Sequence, residues 1–171
     1  MTVRKSEIKT KTKIKTKTKI KSSMNTPREQ IYSALFSTLQ SALGSRFATI
    51  SRRWRMPEQV SPESRPALFQ VQTGERAKTN ANGEPIIWIA TVDLVIYTQG
   101  SGDEQTIPSQ ELNSLLDAVE AALAPAANAD GKQTLGGKVS HCRLQGSARI
   151  TENVNGAAAM AVVPVEILTT A

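Results

Sequence analysis

The sequence predicts an α+β domain in which about five strands form a mostly antiparallel mixed sheet, with two helices packed on one face. Three observations predict this class. Two segments repeat apolar residues at the three- and four-residue spacing of a one-sided helix. Several other segments alternate polar and apolar residues or are continuously apolar, as strands are. The pairs Asn82-Gly83 and Asn155-Gly156 are typical of tight turns between strands.

The first predicted helix begins near Pro27 and is stopped by Gly44. Thr26 stands at the cap position, and Glu29 follows three residues later, as in a capping box. The apolar side of the helix repeats every four residues through Ile31, Leu35, Leu39 and Leu43. Such a helix needs a sheet to cover this side.

Residues 47 to 54 alternate as a strand does, and a proline-rich segment follows. The prolines keep that segment out of regular structure; they are Pro57, Pro62 and Pro66. A basic cluster of Arg52, Arg53 and Arg55 closes the predicted strand. It is either a phosphate-binding patch or a solvated edge that forms ion pairs with a neighbouring subunit. The nearby Glu58 and Glu63 favour the second interpretation.

A hairpin is predicted next, with strands over residues 67 to 77 and 86 to 97 joined through Asn82-Gly83. Every even position of the second strand from Ile86 to Ile96 is apolar, so this strand is expected at the centre of the sheet under the helices. Trp88 is on that side and is predicted to belong to the core.

The second predicted helix covers residues 108 to 123 and is apolar on one side only. Asp117 and Glu120 are on its other side, where a solvated face is expected. Strands are predicted at 139 to 151 and 157 to 168. Pro164 lacks a backbone donor, so the last strand is predicted to be an edge strand or to be bulged there.

The charge of the chain is concentrated in residues 1 to 23, which hold nine basic residues and one acidic residue, a net charge of +8. The rest holds 12 basic and 14 acidic residues, a net charge of −2, and the sum is the +6 of the whole chain. Residues 9 to 21 read KTKTKIKTKTKIK, which predicts disorder. We interpret residues 1 to 23 as a disordered Lys/Thr-rich leader before a single domain at 24 to 171, with Met24 as a plausible original start.

No pattern in the sequence predicts an enzyme, a cofactor or a metal site. A single histidine, His141, excludes a multi-histidine metal site, and a single cysteine, Cys142, excludes an intramolecular disulfide. These two are neighbours in a predicted strand, so their side chains are expected on opposite faces and not as a catalytic pair. No apolar run approaches the roughly 20 residues of a membrane span, and residues 1 to 23 lack the apolar core of a secretory signal. We expect no membrane association and a location in a cytoplasm or in a particle assembled in one.

Three stretches carry a resemblance to a known family: SRRWRMPEQVSPESRPALFQVQTGE, LNSLLDAVEAAL and QTLGGKVSHCRLQG. Together they make the chain, over roughly residues 24 to 168, similar to the tail terminator or tail completion proteins of tailed bacteriophages, which include the minor tail protein U-like proteins. The resemblance implies a structural virion protein with a small α+β fold. It implies a ring, typically a hexamer, that caps the head-proximal end of the tail tube after assembly in the host cytoplasm. Its partners would be the tail-tube protein, the head-tail connector protein and, without sequence specificity, the DNA that passes through the lumen.

Two charged segments are predicted to lie at ring or tube interfaces, because both are long and poorly explained as core. They are the loop from residue 55 to 65 and the hairpin tip from residue 74 to 84. The candidate interface residues are Arg52, Arg53, Arg55, Glu58, Glu63, Arg65, Glu75, Arg76 and Lys78. Two alternatives stay open: a nucleic-acid-associated protein that acts through its lysine-rich arm, and another head-tail connector or tail-tube component.

Overall fold

The computed structural model describes residues 27–100, 105, 107–125, 130–154 and 158–170. The predicted leader at 1 to 23, Thr26 and the turn pair Asn155-Gly156 lie outside these residues. The described elements, in chain order, are α1 (Arg28–Leu43), β1 (Thr49–Ser51), β2 (Ala67–Thr79), β3 (Pro85–Tyr97), α2 (Pro108–Ala122), β4 (His141–Leu144), β5 (Arg149–Val154) and β6 (Ala158–Thr170).

The strands form one mixed sheet in the order β1-β2-β3-β6, with β4 and β5 both on the far side of β6. Only the β1–β2 pair is parallel, and every other pair is antiparallel. The predicted α+β class is confirmed. The described residues hold six strands where about five were predicted, because the segment predicted as one strand at 139 to 151 forms both β4 and β5.

The predicted hairpin at Asn82-Gly83 is confirmed. β2 and β3 pair from Ala67 opposite Tyr97 to Thr79 opposite Pro85, with a register shift between Gln72 and Gly74. The turn is closed by the side chain of Asn80, whose Oδ1 accepts from the backbone amides of Asn82 and Glu84 at 2.9 and 3.0 Å. Gly83 has a φ of 81°, which a residue without a side chain adopts at little cost.

The prediction that the last strand is an edge strand or is bulged at Pro164 is wrong, because β6 lies between β3 and the β4–β5 side and its register with β3 is continuous there. Pro164 is opposite Asp93 of β3, and its carbonyl accepts a 3.0 Å hydrogen bond from the amide of Gln145. The nitrogen and carbonyl of one strand residue point to the same side, so the missing donor of Pro164 faces the gap between β4 and β5. A proline is tolerated there because no ladder bond is lost.

The segment at 139 to 151 was predicted as one strand, but the structure divides it into β4 and β5. Gly146 lies in the break with a φ of 103°, and a Cβ added to it would come within 3.2 Å of the Pro164 ring. The glycine therefore lets the chain pass closely over the proline, and the two strands lie end to end along β6.

Both helices pack on one face of the sheet, as predicted. The buried core between the layers takes Leu35 and Leu39 from α1 and Leu112 and Val119 from α2. From the sheet it takes one apolar side chain at every second position; these are Leu68, Val92, Leu94, Ile96, Ala159, Ala161, Val163, Val165 and Ile167. Full burial of one such side chain stabilises the fold by about 1.5–3 kcal/mol. Cys142 joins this core and His141 does not, so the predicted opposite faces are confirmed.

A second, smaller cluster covers part of the other sheet face. β1 ends at Ser51 and not at residue 54 as predicted, after which the chain crosses under the sheet through short 3-10 turns at Pro57–Gln59 and Pro62–Ser64. Val60 of this segment packs with strand residues on the outer face, which are Ala67, Phe69, Val95 and Tyr97. The sheet face opposite the helices, called the outer face below, is thus only partly covered, as the sequence predicted.

Candidate assembly interface

The nine predicted interface residues belong to three segments of the chain, and Arg53 and Arg55 of the first two segments line one pocket. Arg52 and Arg53 follow the end of β1. The proline-rich segment carries a second group, which is Arg55, Glu58, Glu63 and Arg65, and β2 carries a third, which is Glu75, Arg76 and Lys78. The structure therefore does not bring them together into one patch.

At the end of β1 the two arginines have different surroundings. Nη1 and Nη2 of Arg52 donate to the two carboxylate oxygens of Glu29 in α1, and Nη1 also reaches Ser33 Oγ at 3.4 Å. The hydrogen bonds from Arg52 lower the pKa of Glu29, so the pair stays charged at neutral pH. Arg53 is exposed and forms no ion pair with another described residue. The charge of Arg53 is therefore not balanced by an ion pair among the described residues.

A groove of about 450 Å³ runs beside β2 where β1 stops. Its lining residues are Arg52, Arg53, Gln70, Val71 and Gln72. Gln70 is only 2% exposed, and its Nε2 donates to the carbonyl of Tyr32 at 3.0 Å. Its Oε1 is buried without a hydrogen-bond partner among the described residues.

The proline-rich segment is held by Arg65, whose side chain is only 8% exposed. Nη2 donates to the carbonyl of Pro57 at 2.6 Å and Nε to the carbonyl of Val60 at 3.2 Å. Both acceptors are within the same segment. The described contacts of this guanidinium are therefore intramolecular.

The other charged residues of this segment are more accessible. The Arg55 guanidinium lies 5.6 Å from the centre of the Phe69 ring, and its carbonyl accepts a 3.0 Å hydrogen bond from the Tyr97 hydroxyl. Glu58 and Glu63 are exposed. A hydrogen bond from the Ser61 side chain lowers the pKa of Glu63, so this carboxylate stays ionised.

In β2, Glu75 points to the helix side and Arg76 to the outer face. Glu75 accepts hydrogen bonds from Arg28 and Tyr32 of α1, at 2.6 and 2.8 Å. These two residues and Trp88 line a cleft of about 150 Å³ between the helix and the hairpin. Trp88 was predicted to belong to the core but is only half-buried, and the Arg28 guanidinium lies 5.2 Å from the centre of its ring.

Glu166 on the outer face links two strands through arginines. Arg143 Nη2 and Arg76 Nη2 approach its two oxygens at 2.9 and 3.4 Å. The Glu166 side chain is 13% exposed, whereas Arg76 is 72% exposed. Three half-buried apolar residues of the same sheet face belong to neither core cluster; they are Ile87, Ile89 and Leu168, and Ile89 is opposite both Arg76 and Leu168. Lys78, also in β2, is exposed near the hairpin tip.

The sequence reasoning missed Arg28, Tyr32, Gln70, Arg143 and Glu166. Alternation along β6 does place Glu166 on the face opposite Val165 and Ile167. Its partners depend on the registers of β3 and β4 against β6, for which the sequence has no local signal.

Neither a family model nor a curated protein matches this chain. Solved structures do match. One of them is 12% identical to this chain, covers 85% of it and 97% of its own length, and superposes with a TM-score of 0.51. At this identity the likeness shows the fold alone.

No group of three or more His, Cys, Asp or Glu side chains among the described residues is arranged to hold a metal ion. None of the helices in that part of the chain has the length and apolar character to cross a bilayer.

Proposed function

We propose that this chain is a structural protein of a bacteriophage tail, which forms a ring at the head-proximal end of the tail tube and terminates tube growth. The observation that carries the proposal is the outer sheet face, where Ile87, Ile89 and Leu168 are half-buried beside the Glu166 ion-pair group. Apolar residues grouped on a polar-rimmed surface are typical of a protein that assembles. The family resemblance supplies the kind of assembly.

The mechanism requires two kinds of contact. Subunits meet through two different surfaces, and this heterologous contact closes into a ring, a hexamer in the family that the sequence resembles. One side of the ring binds the last ring of the tail-tube protein, and the other side lacks a tube-like surface, so no further ring stacks on it. That second side receives the head-tail connector protein. DNA passes through the lumen, and its contacts carry no base readout.

The first test is the solution mass of the full-length protein by light scattering, alone and with tail tubes, over a concentration series. We expect a closed oligomer of about six subunits, either alone or once tubes are added. Electron microscopy of growing tubes adds a second readout, because a terminator shortens tubes whereas a tube component is incorporated and lengthens them. A strict monomer that leaves tube length unchanged would contradict the proposal.

A pair of variants links the test to the outer face. Ile89→Glu places a charge among the half-buried apolar residues of that face, and we expect it to weaken capping. Ser114→Glu introduces the same side chain on the exposed side of α2 and serves as the matched control. Equal capping by both variants would remove the outer face from the interface.

A second candidate function rests on the charge distribution, with +8 in residues 1 to 23 and −2 in the rest. In this alternative the lysine-rich arm binds nucleic acid by release of counterions, and the affinity falls steeply with salt. DNA binding by the full-length protein and by a variant without residues 1 to 23 separates the two functions. The tail proposal expects assembly to survive the deletion, and loss of assembly would contradict that expectation.

A further inference from the structure

The sheet has one open edge on each side. β1 covers only the Ala67–Phe69 part of β2, so no strand among the described residues pairs with the outer edge of β2 from Gln70 onward. On the other side, the edge of β4 is already occupied, because the amide of Cys142 donates to the carbonyl of Gln133 at 2.7 Å. β5 is different: the only described strand that pairs with it is β6.

The backbone groups of Gln70 and Gln72 point outward from the β2 edge. The carbonyl of Pro66 accepts hydrogen bonds from Ala48 and Thr49 at the start of β1, so it faces the β1 side. Successive residues of a strand direct their amide and carbonyl groups to alternate sides. Gln70 and Gln72 are an even number of residues after Pro66 and therefore face the same side. The pairing of Ser51 with Phe69 takes up the Gln70 amide, so the Gln70 carbonyl and both backbone groups of Gln72 lie beyond the end of β1. An unpaired row of this kind is a template for an added strand.

The groove beside this edge suits an extended segment that carries an acidic side chain. The exposed Arg53 stands in its wall without an ion pair among the described residues. From Gly74 onward the edge of β2 is unfavourable for pairing with another strand. The register shift at the bulge and the exposed charged side chains that follow it both discourage such pairing. The open stretch of β2 is thus three residues long, Gln70 to Gln72.

β5 matches this stretch in length and direction, and its Glu152 is opposite in charge to Arg53. It pairs with β6 over three consecutive residues, Arg149 to Thr151, before its own register shift. It exposes half of the Ile150 side chain and the carboxylate of Glu152. Three antiparallel steps separate β5 from β2 within one chain, so β5 runs antiparallel to β2. If a neighbouring copy continues the sheet, its β5 also runs antiparallel to β2.

We propose that β5 of a second copy of this chain adds to the β2 edge at Gln70–Gln72 as an antiparallel strand, with its Glu152 beside Arg53. This contact joins two different surfaces, as the subunit contact of a closed ring does. The inference therefore rests on the proposed function and names the surfaces that form the ring.

The first test compares Gln72→Pro with Gln72→Ala in the full-length protein. The Gln72 amide faces the open edge, so a proline there removes a donor to the neighbour but no ladder bond to β3. We expect Gln72→Ala to assemble like the wild type. We expect Gln72→Pro to need at least about tenfold more protein for assembly, with the unfolding temperature nearly unchanged. Unchanged assembly of a folded Gln72→Pro variant overturns the strand contact.

The second test decides the question even if the proline variant fails to fold. Cysteines at Gln72 and Ile150 are about 20 Å apart within one chain, because three strand spacings across the sheet and four residues along it separate them, and this is too far for a disulfide. Oxidation should therefore produce a ladder of covalent multimers up to the size of the ring. The control pairs Gln72→Cys with Glu120→Cys on the exposed side of α2. If the protein forms a ring but both cysteine pairs cross-link equally poorly, the strand contact is wrong and the proposed function is not affected. A wild-type protein that stays monomeric and ignores tail tubes overturns the proposed function as well.

Discussion

The hydroxyl of Tyr32 donates a 2.8 Å hydrogen bond to Glu75 Oε1, which ties α1 to the hairpin of β2 and β3. The second carboxylate oxygen accepts from Arg28 Nε at 2.6 Å, so both oxygens of Glu75 are held by the first turns of the helix. The same guanidinium lies over the ring of Trp88. The position of the hairpin relative to the helix layer therefore depends on a network of partly buried polar groups as well as on the apolar core.

The first prediction concerns acid. Partial burial favours a higher pKa for Glu75, but the hydrogen bonds from Arg28 and Tyr32 outweigh it and lower the pKa below 4.5. A lowered folded-state pKa stabilises the fold above the unfolded value, and that contribution is lost as the pH falls through the folded value. We expect Glu75→Gln to lower the unfolding temperature by roughly 3 °C at neutral pH, about 1 kcal/mol. Thermal scans should show this difference shrinking below pH 4.5, and a constant difference would contradict the assignment.

The second prediction concerns alkali. Burial raises the pKa of Tyr32 to about 12, with a further contribution from its hydrogen bond to Glu75, and burial also raises the pKa of Tyr97. These are the two tyrosines of the chain. Raised folded-state values stabilise the fold below pH 10.0, and this contribution is lost as the pH rises through the folded values. Ultraviolet titration should show tyrosinate appearing together with unfolding. Ionisation of both rings near pH 10.0 in the folded protein would contradict it.

The third prediction separates two arginines of the candidate interface. Arg65→Met leaves the buried carbonyls of Pro57 and Val60 without their charged donor, so we expect a loss of about 2–3 kcal/mol in the free energy of unfolding. Arg53→Met removes an exposed side chain without an ion pair among the described residues, and we expect a change within about 0.5 kcal/mol. Urea unfolding measures both. Equal losses would mean that Arg65 does not hold the segment.

The fourth prediction concerns the thiol of Cys142. Its side chain is 1% exposed, and burial raises its pKa from 9.0 to about 12. The thiolate fraction at about pH 8 is then roughly a thousandfold below that of an unperturbed thiol, so an alkylating reagent should modify it only after unfolding. Glu120→Cys supplies an exposed thiol as the control. Rapid modification of Cys142 in the folded protein would contradict the buried position.

Local patterns were sufficient for the helices and the first hairpin. The four-residue repeat of Ile31, Leu35 and Leu39 and the turn at Asn82-Gly83 are each contained within a few residues, and the structure has both. Pro164 led to a wrong prediction of an edge strand. A proline has no backbone donor, so it cannot donate to a neighbouring strand on one side, but the sequence does not show whether a neighbour lies there. In the structure that side faces the gap between β4 and β5, and the position of this gap depends on where those two strands end.

The candidate site was less predictable because its contacts join distant residues. Glu75 is 47 residues from Arg28, and Glu166 is 90 residues from Arg76. Such pairs form only after the strand registers are fixed, so the charge pattern alone identifies the residues as polar but not as partners. The groove beside β2 depends on where β1 stops, which the sequence put three residues too late.

The central place of β6 has a consequence for folding during synthesis. β6 is the last described strand in chain order, yet it pairs with β3, β4 and β5. A growing chain therefore completes the β2–β3 hairpin well before the strand that covers the other side of β3 emerges. During that interval the apolar edge of β3 is open to other nascent chains, and closing it needs contacts of large sequence separation, which form slowly. We expect truncation before β6 to give an aggregating chain and not a smaller domain.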